Sequence, residues 1–189
     1  MKVGVLAFPG VEELDFVGPW EVLSYANKLQ PGALEMLLVG TETPVTAFNR
    51  LRVIPDVTLE QCPELDILVV PGGRGRLQAM HDERILQFIR QQAPGLRYLT
   101  SVCTGAFLLA EAGLLRGKQA TTHFSAIDEL RAYPGIEVVT ERVVQTDKVI
   151  CAAGVSSGID MSLYLLAQLF GEQVAQAVAR NIEYRHCQS

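Results

Sequence analysis

The chain has 189 residues, 49% of them hydrophobic, and a net charge of −5. That is enough apolar material for one packed domain and too much for a disordered chain. The basic residues are scattered and form no electrostatic footprint for nucleic acid. No apolar run approaches the roughly 18 residues that a membrane helix needs, so neither nucleic acid nor membrane is an expected partner.

Met1-Lys2 leads straight into a strand-like run with no signal-peptide pattern, so a cytoplasmic location is expected. Lys2 to Phe8 is nearly all apolar, the pattern of a strand covered on both faces. After Pro9-Gly10, helical spacing runs from about Glu12 to Lys28. Leu14, Val17, Val22, Leu23 and Tyr25 are its core candidates. Pro19 predicts a break or a fresh start within it. Leu34 to Val39 reads as a second strand, and Pro44 to Val53 as a hairpin or a short extended excursion around Asn49-Arg50.

Asp66 to Val70 is a strong buried strand, stopped by Pro71-Gly72-Gly73. A helix from Arg84 to Ala93 ends at Pro94-Gly95. The string Arg97 to Ala110 changes from a strand composition to a helix composition at Cys103. Lys118 to Thr122 reads as a strand, and Ser125 as the cap of a helix through Ala132. Glu137 to Thr140 and Arg142 to Ala152 follow as strands, the latter turning at Thr146-Asp147-Lys148. Ser156 or Ser157 is expected to cap a helix to Phe170, before a last helix from Glu172 to Glu183.

Apolar strands alternating with helices predict an α/β fold. The expectation is a single domain over residues 1–189, a flavodoxin-like or Rossmann-like sandwich with a mostly parallel sheet and helices on both faces. Function in such sheets gathers at the carboxyl ends of the strands. Pro9 to Leu14, Pro71 to Gly75 and Cys103 to Gly105 all fall at such ends.

Cys103, followed by Thr104-Gly105, has the layout of a nucleophile elbow. The N–H groups of the helix start would favour its thiolate. The alternative is a buried cysteine acting as a small apolar filler. Asp15 lies between Leu14 and Phe16, and burial there would raise its pKa and let it hold a proton near neutrality. Its alternative is a first-turn residue favoured by the helix dipole. Glu12 and Glu13 read as solvated first-turn charges.

Gly72 and Gly73 can present backbone N–H groups to an oxyanion, or make a plain turn. Thr104 can serve the sulfur or a substrate, or cap the helix. His123 can reach the same rim, or be structural. His81 and His186 read as surface residues, Cys151 as a core residue, Cys62 as a loop residue and Cys187 as a tail residue. No C-x-x-C spacing or histidine pair calls for a metal or a redox couple.

These segments together resemble the DJ-1/PfpI superfamily over nearly the full length. The motifs are Phe8-Pro9-Gly10, Leu14 to Pro19, Val70-Pro71-Gly72-Gly73, Ser101 to Gly105, and Ala112 to Leu115 with Ala120 to His123. Asp15, Gly18-Pro19 and Cys103-Thr104-Gly105 look most like the isocyanide hydratases, and equally like the sensor domain of certain AraC-type regulators. The chain ends at Ser189 without room for a helix-turn-helix module, which favours a stand-alone enzyme or binding protein. PfpI-type proteases place His where this chain has Thr104, and DJ-1 and its glyoxalase-like relatives usually have Glu at the place of Asp15. Class I glutamine amidotransferases need a His-x-Glu pair after the cysteine, which is missing here.

The resemblance implies a small-molecule enzyme converting an isocyanide to an N-formamide. Cys103 would be the nucleophile, Asp15 the proton partner, and the N–H groups of Gly73 and Thr104 the cradle for water or a substrate anion. It implies no cofactor or metal, and a homodimer with the first helix near the interface. The alternatives it leaves are a glyoxalase or deglycase acting on methylglyoxal-type carbonyls and a non-catalytic cysteine sensor.

Overall fold

The computed structural model describes residues 1–185. His186 and Cys187 lie outside the described residues. In chain order the elements are β1 (Lys2–Ala7), α1 (Glu13–Ala26), β2 (Glu35–Gly40), β3 (Val45–Thr46), β4 (Arg52–Val53) and β5 (Val57–Thr58). Next come β6 (Ile67–Val70), α2 (Arg76–Ala79), α3 (Glu83–Gln92), β7 (Tyr98–Val102), a 3-10 turn (Cys103–Gly105) and α4 (Ala106–Glu111). The rest is β8 (Lys118–Ala120), a 3-10 turn (Phe124–Ala126), α5 (Ile127–Arg131), β9 (Ile136–Val138), β10 (Val143–Thr146), β11 (Val149–Ala152), α6 (Ser157–Phe170) and α7 (Glu172–Asn181).

Seven strands form one sheet in the order β10-β11-β7-β6-β1-β2-β5. All neighbours are parallel except β10 against β11. Every residue of β6 and β11 is buried, which requires helices over both faces of the sheet. α1 packs with α6 and α7, while α2 and α3 pack with α4. β3 and β4 form the expected hairpin around Asn49-Arg50. The predicted strand at Lys118 leaves the main sheet and pairs in parallel with β9.

α1 differs from its predicted form in two ways. It runs unbroken through Pro19, because the helix is held by tertiary packing. Gly158 of α6 lies so close to the Pro19 ring that a Cβ there would stand 3.2 Å from it. Its buried face is Phe16, Pro19, Val22, Leu23 and Ala26. The expected core residues Leu14 and Val17 are 37% and 40% exposed; Leu14 lies over Gly18 beside Ile159 of α6 and is only partly covered.

The predicted serine caps also differ. His123, not Ser125, caps the turn before α5, with Nδ1 accepting the Ser125 N–H at 3.3 Å. Neither Ser156 nor Ser157 caps α6. The Ser157 and Gly158 N–H groups are already taken by the Gly154 and Val155 carbonyls, and the Ser156 hydroxyl accepts from Arg142 at 3.1 Å.

The turn after β7 is packed on the end of β6 without slack. A Cβ on Gly105 would overlap the Val70 carbonyl oxygen. Gly105→Ala is expected to destabilise the protein by about 1–3 kcal/mol, as overpacking does. The measurement is the urea unfolding midpoint at constant slope. Gly95→Ala, whose Cβ would have one ordinary contact at 3.8 Å, is the control that should change little.

Candidate active site

β1, β6 and β7 are adjacent and parallel, so the turns that follow them meet at one edge. Glu12 N–H donates to Gly72 O at 3.0 Å, and Gly75 N–H to Gly10 O at 2.9 Å. Gly73 N–H donates to Thr104 Oγ1 at 3.0 Å. A fourth segment, after β11, completes the edge through Cys103 N–H, which donates to Ala153 O at 2.7 Å.

Cys103 sits at the strand-to-helix junction with φ +57°, a left-handed conformation that costs an L-residue about 1–2 kcal/mol. Both of its peptide groups are pinned against that cost. The N–H is held by Ala153, and its carbonyl accepts from Thr122 Oγ1 at 2.9 Å. The sulfur is thereby lifted off β7 while remaining 5% exposed.

Asp15 reaches the same point from α1. It is 0% exposed, and its Oδ2 accepts from Gly72 N–H at 3.0 Å. Its Oδ1 is buried without a hydrogen bond of ordinary geometry, yet the carboxyl and the Cys103 thiol interact closely enough to shift each other. Burial pushes the Asp15 carboxyl up to about 7, against the Gly72 and Cys103 hydrogen bonds that lower it. This is the sense that its apolar neighbours predict.

The thiol runs against expectation. Burial first, and the Asp15 carboxylate second, push Cys103 up to about 12. The N–H groups of Val155 and Thr104 pull the other way and do not win. The helix start therefore yields no standing thiolate. Desolvating a sulfur anion beside a carboxylate costs more than the two N–H groups return. Between roughly neutral and strongly basic pH the two groups share one proton, and the titration belongs to the pair.

The expected cradle of free N–H groups is also absent at Gly72 and Gly73. The Gly72 N–H is committed to Asp15 and the Gly73 N–H to Thr104. The reason is space: a Cβ on Gly72 would stand 2.5 Å from Thr104 N and Oγ1, so these turns close on each other rather than on a ligand. The Thr104 hydroxyl staples the two turns together, and its N–H is directed at the sulfur.

A cavity of about 310 Å³ opens above the sulfur, lined among others by Cys103, Thr104, Gly73, Glu12, His123 and Val155. His123 stands on its wall, half-buried, with Nδ1 accepting the Ser125 N–H at 3.3 Å. The Ser125 hydroxyl lies 2.8 Å from the same nitrogen. Arg76 and Glu129 form a two-pronged ion pair on the same lining, at 2.8 and 2.5 Å. Arg76 is also stacked over the Phe107 ring at 4.0 Å. A larger cavity of about 520 Å³ between β10, α6 and α7 is lined by no cysteine.

Three contributors escaped the sequence reading. Val155 has φ +34°, rare for a β-branched residue, and gives an N–H to the sulfur. Its signal was its place after β11, a fourth carboxyl end. Arg76–Glu129 joins residues far apart in the chain and left no signal. Glu12, taken for a solvated charge, is half-buried and lines the cavity, whereas Glu13 grips the Asn49 backbone and side chain at 2.7 Å.

Known proteins resemble this chain in sequence and fold. The DJ-1/PfpI family model matches residues 1–168. The chain is 42% identical over 184 residues to isonitrile hydratase of Pseudomonas putida, covering 97% of this chain and 78% of that protein. It is 34% identical over 176 residues to the HTH-type transcriptional regulator CdhR of Pseudomonas aeruginosa, covering 92% of this chain but only 52% of the regulator. The crystal structure of a THiJ/PfpI family protein from Pseudomonas syringae matches with a TM-score of 0.90 at 32% identity, over 100% of this chain and 78% of that one. The chain belongs to the DJ-1/PfpI family.

The raised Asp15 pKa makes stability depend on pH. The folded state keeps the proton longer than the unfolded chain. The stabilisation is therefore complete below pH 4 and is lost as pH rises to about 7. The loss amounts to at most about 4 kcal/mol at 1.36 kcal/mol per unit. Asp15→Asn, which keeps an acceptor for Gly72, should flatten this slope and be the more stable protein at pH 8. Urea unfolding from pH 4 to 8 checks it, and an unchanged slope would refute the burial argument.

Proposed function

We propose that this chain is a cofactor-independent hydratase that converts isocyanides to N-formamides, with Cys103 as the covalent nucleophile and Asp15 as its proton partner. The observation that carries the reading is the burial of the Asp15 carboxyl beside the Cys103 thiol, which lines the cavity; burial pushes both groups toward their protonated forms. An isocyanide carbon takes up a nucleophile and a proton at the same atom. A neutral thiol held against a carboxylate supplies both without creating a net charge in a dry site. The similarity to isonitrile hydratase along nearly the whole chain supports it.

In the first step sulfur bonds to the terminal carbon as the shared proton passes to that carbon. The product is a neutral thioimidate, with Asp15 left as the carboxylate it was. The left-handed turn at Cys103, a nucleophile elbow in this reading, presents the sulfur to the cavity. The N–H groups of Val155 and Thr104 stabilise the negative charge that sulfur gathers during proton transfer. Water then adds to the thioimidate carbon, and collapse of the adduct releases the formamide and restores the thiol.

A redox sensor needs an accessible thiolate. A thiol pushed up to about 12 and 5% exposed weighs against that alternative. The functional unit in this reading is a cytoplasmic homodimer of single-domain subunits. The exposed Leu14 and Val17 of α1 are the surface it would cover.

The protein is expected to form N-formamide from cyclohexyl and aryl isocyanides and to leave methylglyoxal unchanged. Cys103→Ala should reduce formamide formation to background with an unaltered circular dichroism spectrum. Turnover of methylglyoxal alone, or full activity in the variant, would overturn the reading.

A further inference from the structure

Hydration has a second half, and the Asp15–Cys103 pair does not by itself provide for it. Once the thioimidate forms, a water molecule must be deprotonated as it attacks. Asp15 is 0% exposed and already faces Gly72 and the sulfur, so it cannot meet water arriving from the cavity. The base has to line the cavity itself.

The ionisable side chains on that lining, besides Cys103, are Glu12, Arg74, Arg76, His123 and Glu129. The arginines are not bases. Glu129 is gripped by both Arg76 nitrogens, which hold its carboxyl below the usual range and leave it a weak base. His123 has its Nδ1 occupied by the Ser125 hydroxyl and N–H at 2.8 and 3.3 Å, and its other ring edge packs on Gly154. Glu12 is different. Its backbone N–H is anchored on Gly72 at 3.0 Å, which fixes its Cα beside the turn that holds Asp15. No hydrogen bond or ion pair of its side chain exists among the described residues.

We propose that Glu12 is the general base for the water step, a role that rests on the hydratase reading above. The oxygen of water bonds to the thioimidate carbon as one of its protons passes to the Glu12 carboxylate. The C=N electron pair moves onto nitrogen, which takes that proton back from Glu12. The C–S bond of the tetrahedral adduct then breaks, and the hydroxyl proton returns to the Asp15–Cys103 pair. Atoms and charge balance: thioimidate and water give formamide and thiol. Burial and the neighbouring Glu13 raise the Glu12 carboxyl above its ordinary value, which strengthens it as a base. Its charge is felt at Asp15, so the two carboxyls act on one site.

The test follows formation and decay of the protein-bound adduct by intact-protein mass spectrometry after rapid mixing with phenyl isocyanide. In Glu12→Gln the adduct should still form and should decay about 100-fold more slowly, the lower end of general-base effects. It should therefore accumulate. Glu12→Asp should recover part of the decay rate, and Glu129→Gln should decay normally. Wild-type decay in Glu12→Gln, or accumulation in Glu129→Gln instead, would overturn the role of Glu12 while leaving the hydratase reading intact. Absence of both adduct and formamide in the wild type would overturn both.

Discussion

The burial of Asp15 against Cys103 is the constraint on which the site depends. A carboxyl with no solvent contact and one backbone donor cannot ionise cheaply, and the thiol beside it, pushed up to about 12 by burial and by that carboxylate, keeps its proton at neutral pH. The result is a stored, mobile proton rather than a stored thiolate. Such a pair suits additions in which a nucleophile and a proton are delivered together. It is poorly suited to reactions that need a persistent sulfur anion.

The backbone around the pair serves the same end. The left-handed turn at Cys103 is unfavourable in isolation and is held at both peptide groups by neighbouring strand ends. Gly72 and Gly105 let the turns after β6 and β7 approach, and Gly73 the turns after β6 and β1, to distances that no side chain allows. That closeness has a chemical consequence. The N–H groups that look available in the sequence are satisfied by Asp15 and Thr104. The polar support for the sulfur comes instead from Val155 and Thr104.

Much of this was readable beforehand, and for definite reasons. β6 and β11 are continuous apolar runs, and β1 nearly so, because both of their faces are covered, and such runs survive any detail of packing. Cys103 and Asp15 stood out through local context, a composition change at the elbow and a carboxylate among apolar neighbours. Pro19 misled because its steric penalty is local, whereas the contact with Gly158 that holds α1 straight comes from the far end of the chain. Leu14 and Val17 misled because helical spacing defines a stripe without saying how far each residue on it is covered.

The sequence by itself determined the α/β order of elements, the parallel sheet and the identity of the sulfur and carboxyl at its edge. These follow from periodicity and from residue chemistry within a few positions. Only the tertiary structure decided where each N–H points, that Asp15 reaches Cys103, that the thiol stays protonated, and that Glu12 faces the cavity. Each of those is an electrostatic outcome of bringing distant segments within a few ångströms while excluding water, and no local pattern encodes the distance.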